Sequence, residues 1–171
     1  MSFPNRVFLI GPMGSGKTSI GRQLARSLNK DFVDSDREIE VLTGATIALI
    51  FDVEGEAGFR RRERRMIDEL TRRDNVVLAT GGGAVLDADN RADLRERGTV
   101  VYLSAPLNRL YDRVRLDKSR PLLDDEDPRA RLDAIITERA PLYEETAHII
   151  METNTASIRQ VVKELRQRLQ S

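Results

Sequence analysis

The chain has 171 residues, with 28 Lys plus Arg against 28 Asp plus Glu, 40% hydrophobic residues and no cysteine. The charge balance argues against nucleic acid as the main partner, and the absence of cysteine excludes disulfides and thiolate metal sites and fits a cytoplasmic protein. No apolar run approaches the about 20 residues that span a bilayer, and residues 1–6 lack a signal-peptide pattern.

Residues 6–10 read as a first, buried strand, because Val7-Phe8-Leu9-Ile10 is a continuous apolar run bounded by polar residues and glycine. Gly11-Pro12-Met13-Gly14-Ser15-Gly16-Lys17-Thr18 follows and meets the spacing G-x-x-x-x-G-K-T through Gly11, Gly16, Lys17 and Thr18. Strand, glycine-rich turn and helix is the context of a phosphate-binding loop. Gly14 and Gly16 let the backbone turn its N–H groups inward, and those groups at a helix start form an anion site. Lys17 adds a mobile charge for the β- and γ-phosphates, and the Thr18 hydroxyl suits Mg²⁺. Gly14, Ser15, Gly16, Lys17, Thr18 and Ser19 are therefore the expected ATP-binding stretch.

A helix is expected over residues 18–28, where Ile20, Leu24 and Leu28 recur at helical spacing, and a short strand over residues 31–34. That strand ends in Asp34-Ser35-Asp36, at the edge of an open α/β sheet where ligands bind. Asp34 or Asp36 would hold the metal directly or through water; capping of the next helix is the structural alternative for this pair. Helices are expected over residues 36–42 and 46–51, a turn over 54–58, and a highly charged helix over 59–71. Cations at a helix start oppose its dipole, so an arginine there implies an anion, with Glu63 three residues on to orient Arg60. Arg61, Arg62, Arg64 and Arg65 read as a solvated face.

A third strand over residues 76–79 runs into Gly81-Gly82-Gly83, which offers close backbone approach to a ligand at an entropic cost. A helix over 89–97, a strand over 99–103 and a helix over 106–115 follow. Residues 117–128 are polar, contain two prolines and lack periodicity, and are expected to form a mobile loop whose Arg120 could close over phosphates. Helical spacing resumes over 129–143 until Pro141 disturbs it. A fifth strand over 147–151 holds His148, read as a core or edge residue, and a last helix starts near Ser157. The alternation implies a parallel sheet with helices on both faces.

Taken together, these segments resemble shikimate kinase over nearly the whole chain. The residues carrying the resemblance are the loop 11–18, Asp34-Ser35-Asp36, Glu54-Gly55-Glu56 with Phe59-Arg60 and Glu63, Gly81-Gly82-Gly83, Arg120-Pro121-Leu122-Leu123, and Arg139 with Tyr143. The resemblance implies a three-layer α/β/α fold with a five-stranded parallel sheet, similar to P-loop nucleoside monophosphate kinases. It also implies one domain over residues 1–171, with a substrate-binding helical region near 36–62 and a lid near 117–128. The implied activity is ATP-dependent phosphorylation of the shikimate 3-hydroxyl with Mg²⁺, by a cytoplasmic monomer with no nucleic-acid or membrane partner. On this resemblance Asp36 holds substrate hydroxyls and takes the proton of the attacking one. Arg60 and Arg139 bind the substrate carboxylate, and Gly82 contacts substrate through its backbone. Lys17 and Arg120 act on the ATP phosphates, Thr18 ligates Mg²⁺ and Asp34 holds it through water. Residues 153–156 match the family's adenine-contacting stretch less clearly, and no residue there is assigned.

Overall fold

The computed structural model describes residues 2–117, 127–154 and 156–170. Five strands form one parallel sheet in the order β2-β3-β1-β4-β5, where β1 is Arg6–Ile10, β2 Asp31–Asp34, β3 Val76–Ala79, β4 Thr99–Ser104 and β5 Ile149–Glu152. Phe8 of the central strand pairs with Leu78 on one side and Val100 on the other.

Residues Val7 to Ile10 are fully buried because both faces of the sheet are covered. Val7 and Leu9 point to one side, where they pack with Leu24 of α1 (Lys17–Leu28) and Leu165 of α7 (Ile158–Leu169). Phe8 and Ile10 point to the other, toward Ile39 of α2 (Ser35–Thr43), Met66 of α3 (Ile47–Leu70), Leu94 of α4 (Ala88–Arg97) and Tyr143 of α6 (Pro128–Thr146). The period of two along the strand thus builds a three-layer α/β/α arrangement. A smaller cluster joins Met13 of the glycine-rich loop to Leu110 and Val114 of α5 (Leu107–Val114) and to Leu132 of α6.

The structure differs from the sequence expectations in three places. The turn expected at 54–58 shrinks to a kink at Gly55 (φ 74°, ψ 176°), and α3 runs on from Ile47 to Leu70. Arg62 spans the kink by clamping Glu54 with both carboxylate oxygens, at 2.9 and 2.7 Å. α6 continues through Pro141 to Thr146. Its end is held by the Thr146 hydroxyl on Leu142 O and by Arg95, which donates to the carbonyls of Glu145, Thr146 and Ala147. These bonds satisfy carbonyls at the C-terminal end of α6. β5 begins at Ile149; just before it, His148 donates its backbone N–H to Val100 O and accepts at Nδ1 from Val100 N–H. No helix among the described residues is long and apolar enough to cross a membrane.

Candidate functional site

The glycine-rich loop leaves β1 and enters α1 at Gly16, which has φ 93° and caps the helix without any side chain. The first N–H groups of α1 are thus left for a ligand, and no acid stands in the first turn to oppose an anion. Ser15 is fully buried behind the loop, and its Oγ has no hydrogen-bond partner among the described residues. Lys17 Nζ donates to the carbonyls of Gly11 at 2.6 Å and Pro12 at 2.9 Å, which holds the ammonium across the loop.

Asp34 caps α2, the structural alternative weighed for it in the sequence. Its Oδ1 caps α2 by accepting from the N–H groups of Asp36 and Arg37, at 3.0 and 3.2 Å. Its Oδ2 accepts from the Thr18 hydroxyl at 3.0 Å. The end of β2 and the head of α1 therefore bring two oxygens together beside Lys17. Two protein oxygens suit a hard cation that takes its remaining ligands from phosphate and water.

Around the loop lie two cavities that share a wall. One, about 240 Å³, is lined by Gly14, Gly16, Lys17, Thr18, Ser19 and Arg113, and by Asp34, Asp36, Gly81 and Gly82. The other, about 250 Å³, is lined by the same Asp34, Asp36, Gly81 and Gly82, and by Arg60, Glu63 and Arg139 together with the apolar Met13, Ile47, Phe51 and Phe59. Phe51 and Phe59 pack with ring centroids 5.0 Å apart, and the Arg60 guanidinium lies over the Phe59 ring. The second cavity thus combines an apolar wall with guanidiniums, among them Arg60 and Arg139, and with carboxylates, among them Asp34, Asp36 and Glu63.

The guanidiniums are held from behind. Arg60 donates to Glu63 Oε1 at 2.9 Å and to Glu56 at 3.3 Å. Burial opposes its charge, but Glu63 and Glu56 more than restore it. Arg60 lies five residues after the non-helical Gly55, in the opening turns of the second part of α3, and these acids hold it there. Arg139 is 6% exposed and projects from α6 one turn before Tyr143. The Tyr143 hydroxyl donates to Gly82 O, while its ring stacks on Tyr102 at 5.0 Å. Burial pushes the Tyr143 phenol well above its usual range, so it stays a neutral donor.

Two of the three glycines, Gly81 and Gly83, are required by crowding. A Cβ on Gly81 would fall 2.7 Å from Asp36 Oδ1 and 2.9 Å from Glu63 Oε2, and one on Gly83 would collide with the Arg60 guanidinium. At Gly81 and Gly83 the chain after β3 can pass between the charged groups only without a side chain.

Asp34, Asp36, Arg60, Gly82, Arg139 and the loop residues Gly14 to Ser19 therefore converge at the C-terminal edge of the sheet, apart from Ser15, which backs the loop. Arg120 lies outside the described residues. Two residues escaped the sequence reading. Arg113 lines the first cavity and donates to Gly14 O at 2.8 Å, a partner 99 residues away. It also lines a further recess of about 200 Å³ with Ser15, Thr153, Ala156 and Ile158, which places Thr153 and Ala156 next to the loop. Arg64 is not on a solvated face, since it is held by Asn90 at 2.7 Å and Asp93 at 2.6 Å on α4. No motif near Arg113 or Arg64 signals these distant partners.

Comparison with known proteins agrees with this geometry. The family model described as shikimate kinase matches residues 13–170. The shikimate kinase of Psychrobacter arcticus is 56% identical over 165 residues, covering 96% of this chain and 89% of that protein. That of Halorhodospira halophila is 52% identical over 167 residues, covering 98% and 94%. Among solved structures, shikimate kinase from Acinetobacter baumannii in complex with shikimate has a TM-score of 0.94 at 49% identity, covering 96% of this chain and 92% of that one. A gluconokinase from Sinorhizobium meliloti, at 17% identity and a TM-score of 0.58 over 99% and 95%, shares the fold alone. The chain belongs to the shikimate kinase family.

Proposed function

We propose that this protein transfers the γ-phosphoryl group of ATP to the 3-hydroxyl of shikimate, giving ADP and shikimate 3-phosphate. Family membership supports the reaction. The observation that carries the division of labour is the shared wall: Asp34, Asp36, Gly81 and Gly82 line both the loop cavity and the arginine-lined cavity. Donor phosphates on one side and an acceptor hydroxyl on the other meet there.

In this reading the N–H groups at the head of α1 and Lys17 bind the phosphates, with Ser15 behind them, and Arg113 stands at the nucleotide's other end. Arg60 and Arg139 bind the shikimate carboxylate, which planar guanidiniums recognise through paired hydrogen bonds. The Phe51 and Phe59 wall covers the apolar ring face. Asp36, at the boundary, accepts the hydrogen of the acceptor hydroxyl and takes its proton as the new P–O bond forms and the ADP oxygen leaves. Thr18 and Asp34 would hold Mg²⁺, directly and through water, and Mg²⁺ supplies charge neutralisation of the phosphates when bound. Arg120 is assigned to the phosphates by resemblance. Catalysis then rests on positioning and electrostatics, with no covalent intermediate.

We assign residues 1–171 to one P-loop kinase domain, acting as a monomer in the cytoplasm without nucleic-acid or membrane partners; equal acid and base counts and a cysteine-free sequence favour this setting. A coupled assay of ADP release over a panel of small hydroxy acids tests the activity. Turnover that depends on both shikimate and Mg²⁺ is expected. ADP release indifferent to shikimate would overturn the proposal.

A further inference from the structure

Glu63 is 1% exposed on the wall of the arginine-lined cavity, where its carboxylate does more than the arginine clamp requires. Oε1 accepts from Arg60, while Oε2 has no hydrogen-bond partner among the described residues. The Gly81 backbone runs so close that a single added Cβ would touch both Glu63 Oε2 and Asp36 Oδ1. Two carboxylates from different helices thus share one buried spot.

The charges facing Glu63 come from each element packed on it: Arg60 on its own helix, itself paired with Glu56; Asp36 on α2; and Arg139 on α6, beside the neutral phenol of Tyr143. Without ligand, the guanidiniums of Arg60 and Arg139 already face the carboxylates of Glu63 and Asp36, and Arg60 faces Glu56 as well. A substrate carboxylate entering between Arg60 and Arg139 brings a further negative charge and shields the cavity from water. An uncompensated buried charge is costlier than neutralising one carboxylate by a proton.

We propose that Glu63 takes up one proton from solvent when shikimate binds between Arg60 and Arg139, so that Glu63 is a proton-linked positioning residue for the acceptor. The proton lands on Oε2, which changes from a bare acceptor into a donor facing Asp36. The choice of ligand rests on the kinase reading above, whereas the linkage rests on the four charged side chains. Burial pushes the Glu63 carboxyl up, Arg60 pulls it down and Asp36 raises it again, leaving it at about 7 before any ligand arrives. A further negative charge raises it more. Uptake is therefore greatest just above pH 7 and vanishes well below it, where Glu63 is already protonated. Affinity for shikimate falls as pH rises through this range.

Titration calorimetry with shikimate at pH 7.5, in phosphate and in Tris buffers, counts the protons from the dependence of the heat on buffer ionisation. Wild-type protein is expected to take up about half a proton or more, with Kd rising several-fold between pH 7 and 9. Glu63→Gln, which keeps the shape and the acceptor for Arg60, is expected to take up almost none and to bind with a pH-independent Kd. A role in holding Arg60 alone would leave the buffer dependence of the wild type at zero. Shikimate binding without proton uptake in the wild type, or uptake that persists in Glu63→Gln, overturns the linkage and leaves the kinase reading standing. Failure of shikimate to bind the wild type overturns both. If Glu63→Gln does not fold, the wild-type buffer series decides.

Discussion

The Tyr143 hydroxyl donates to the Gly82 carbonyl, tying α6 to the glycine segment that separates the two cavities. Arg139, one turn earlier on the same face of α6, lines the arginine-lined cavity. One tether therefore positions both the arginine proposed to clamp the acceptor and the backbone it faces. Tyr143→Phe keeps the stack on Tyr102 and leaves Gly82 O without this donor. It is expected to destabilise the fold by about 1–2 kcal/mol and to raise KM for shikimate several-fold, with a smaller effect on KM for ATP. Denaturant unfolding and steady-state kinetics measure the two effects. Equal changes in both KM values would show that the tether does not act on the acceptor side.

Asp36 stands at the boundary of the cavities, within reach of Gly81. Asp36→Asn preserves its size and removes its capacity to accept a proton. The variant is expected to lose at least about a hundredfold in kcat, the scale of general acid–base help. Unchanged turnover would remove Asp36 from the proton transfer.

Arg60 is held by Glu63 and Glu56, and its guanidinium lies against Gly83. Arg60→Ala leaves the substrate carboxylate half-paired and also strips the buried Glu63 of its donor. A loss of about 2 kcal/mol or more in acceptor binding is expected, about thirtyfold in KM. Arg60→Lys keeps the charge and loses the planar fork, so it is expected to recover only part of that loss. A KM for shikimate that stays at the wild-type value in Arg60→Ala would refute the clamp.

His148 makes its own pH prediction. Burial, and to a lesser degree Arg95 nearby, lowers its pKa below the usual imidazole value. Its Nδ1 accepts from Val100 N–H at 2.9 Å, so the folded protein favours the neutral ring. The unfolded chain binds the proton at higher pH than the folded one. The stability due to His148 is thus complete above about pH 6.5 and is lost as pH falls through the lower folded value. Denaturation midpoints between pH 7 and 5 are expected to fall less in His148→Gln than in wild type. Identical slopes would show that the imidazole is not linked to folding.

The phosphate loop, the parallel sheet and most of the site were legible because their signals are local. A glycine-lysine spacing, an apolar run or a carboxylate at a strand end names its own role within a few residues. What escaped depends on partners far along the chain. Arg64 resembles its exposed neighbours Arg61 and Arg65 until α4 supplies Asn90 and Asp93, 26 and 29 residues away. Arg113 reaches Gly14 only because Val114 and Leu110 pack against the loop, so closely that a Cβ on Gly14 would meet both. Pro141 read as a breaker, yet α6 runs on to Thr146 with Arg95 holding its end, whereas Gly55 does interrupt α3 and Arg62 bridges the break to Glu54. Propensity was overridden where a long side chain could bridge the defect.

The central claim is that a phosphoryl group crosses the wall formed by Asp34, Asp36, Gly81 and Gly82 onto one hydroxyl of a carboxylate-anchored acceptor. Phosphorus–proton correlation NMR of the product formed from ATP and shikimate tests it most directly. The expected spectrum couples the transferred phosphorus to the proton on C3 of shikimate. Phosphorus found on another carbon, or only as inorganic phosphate, would contradict it.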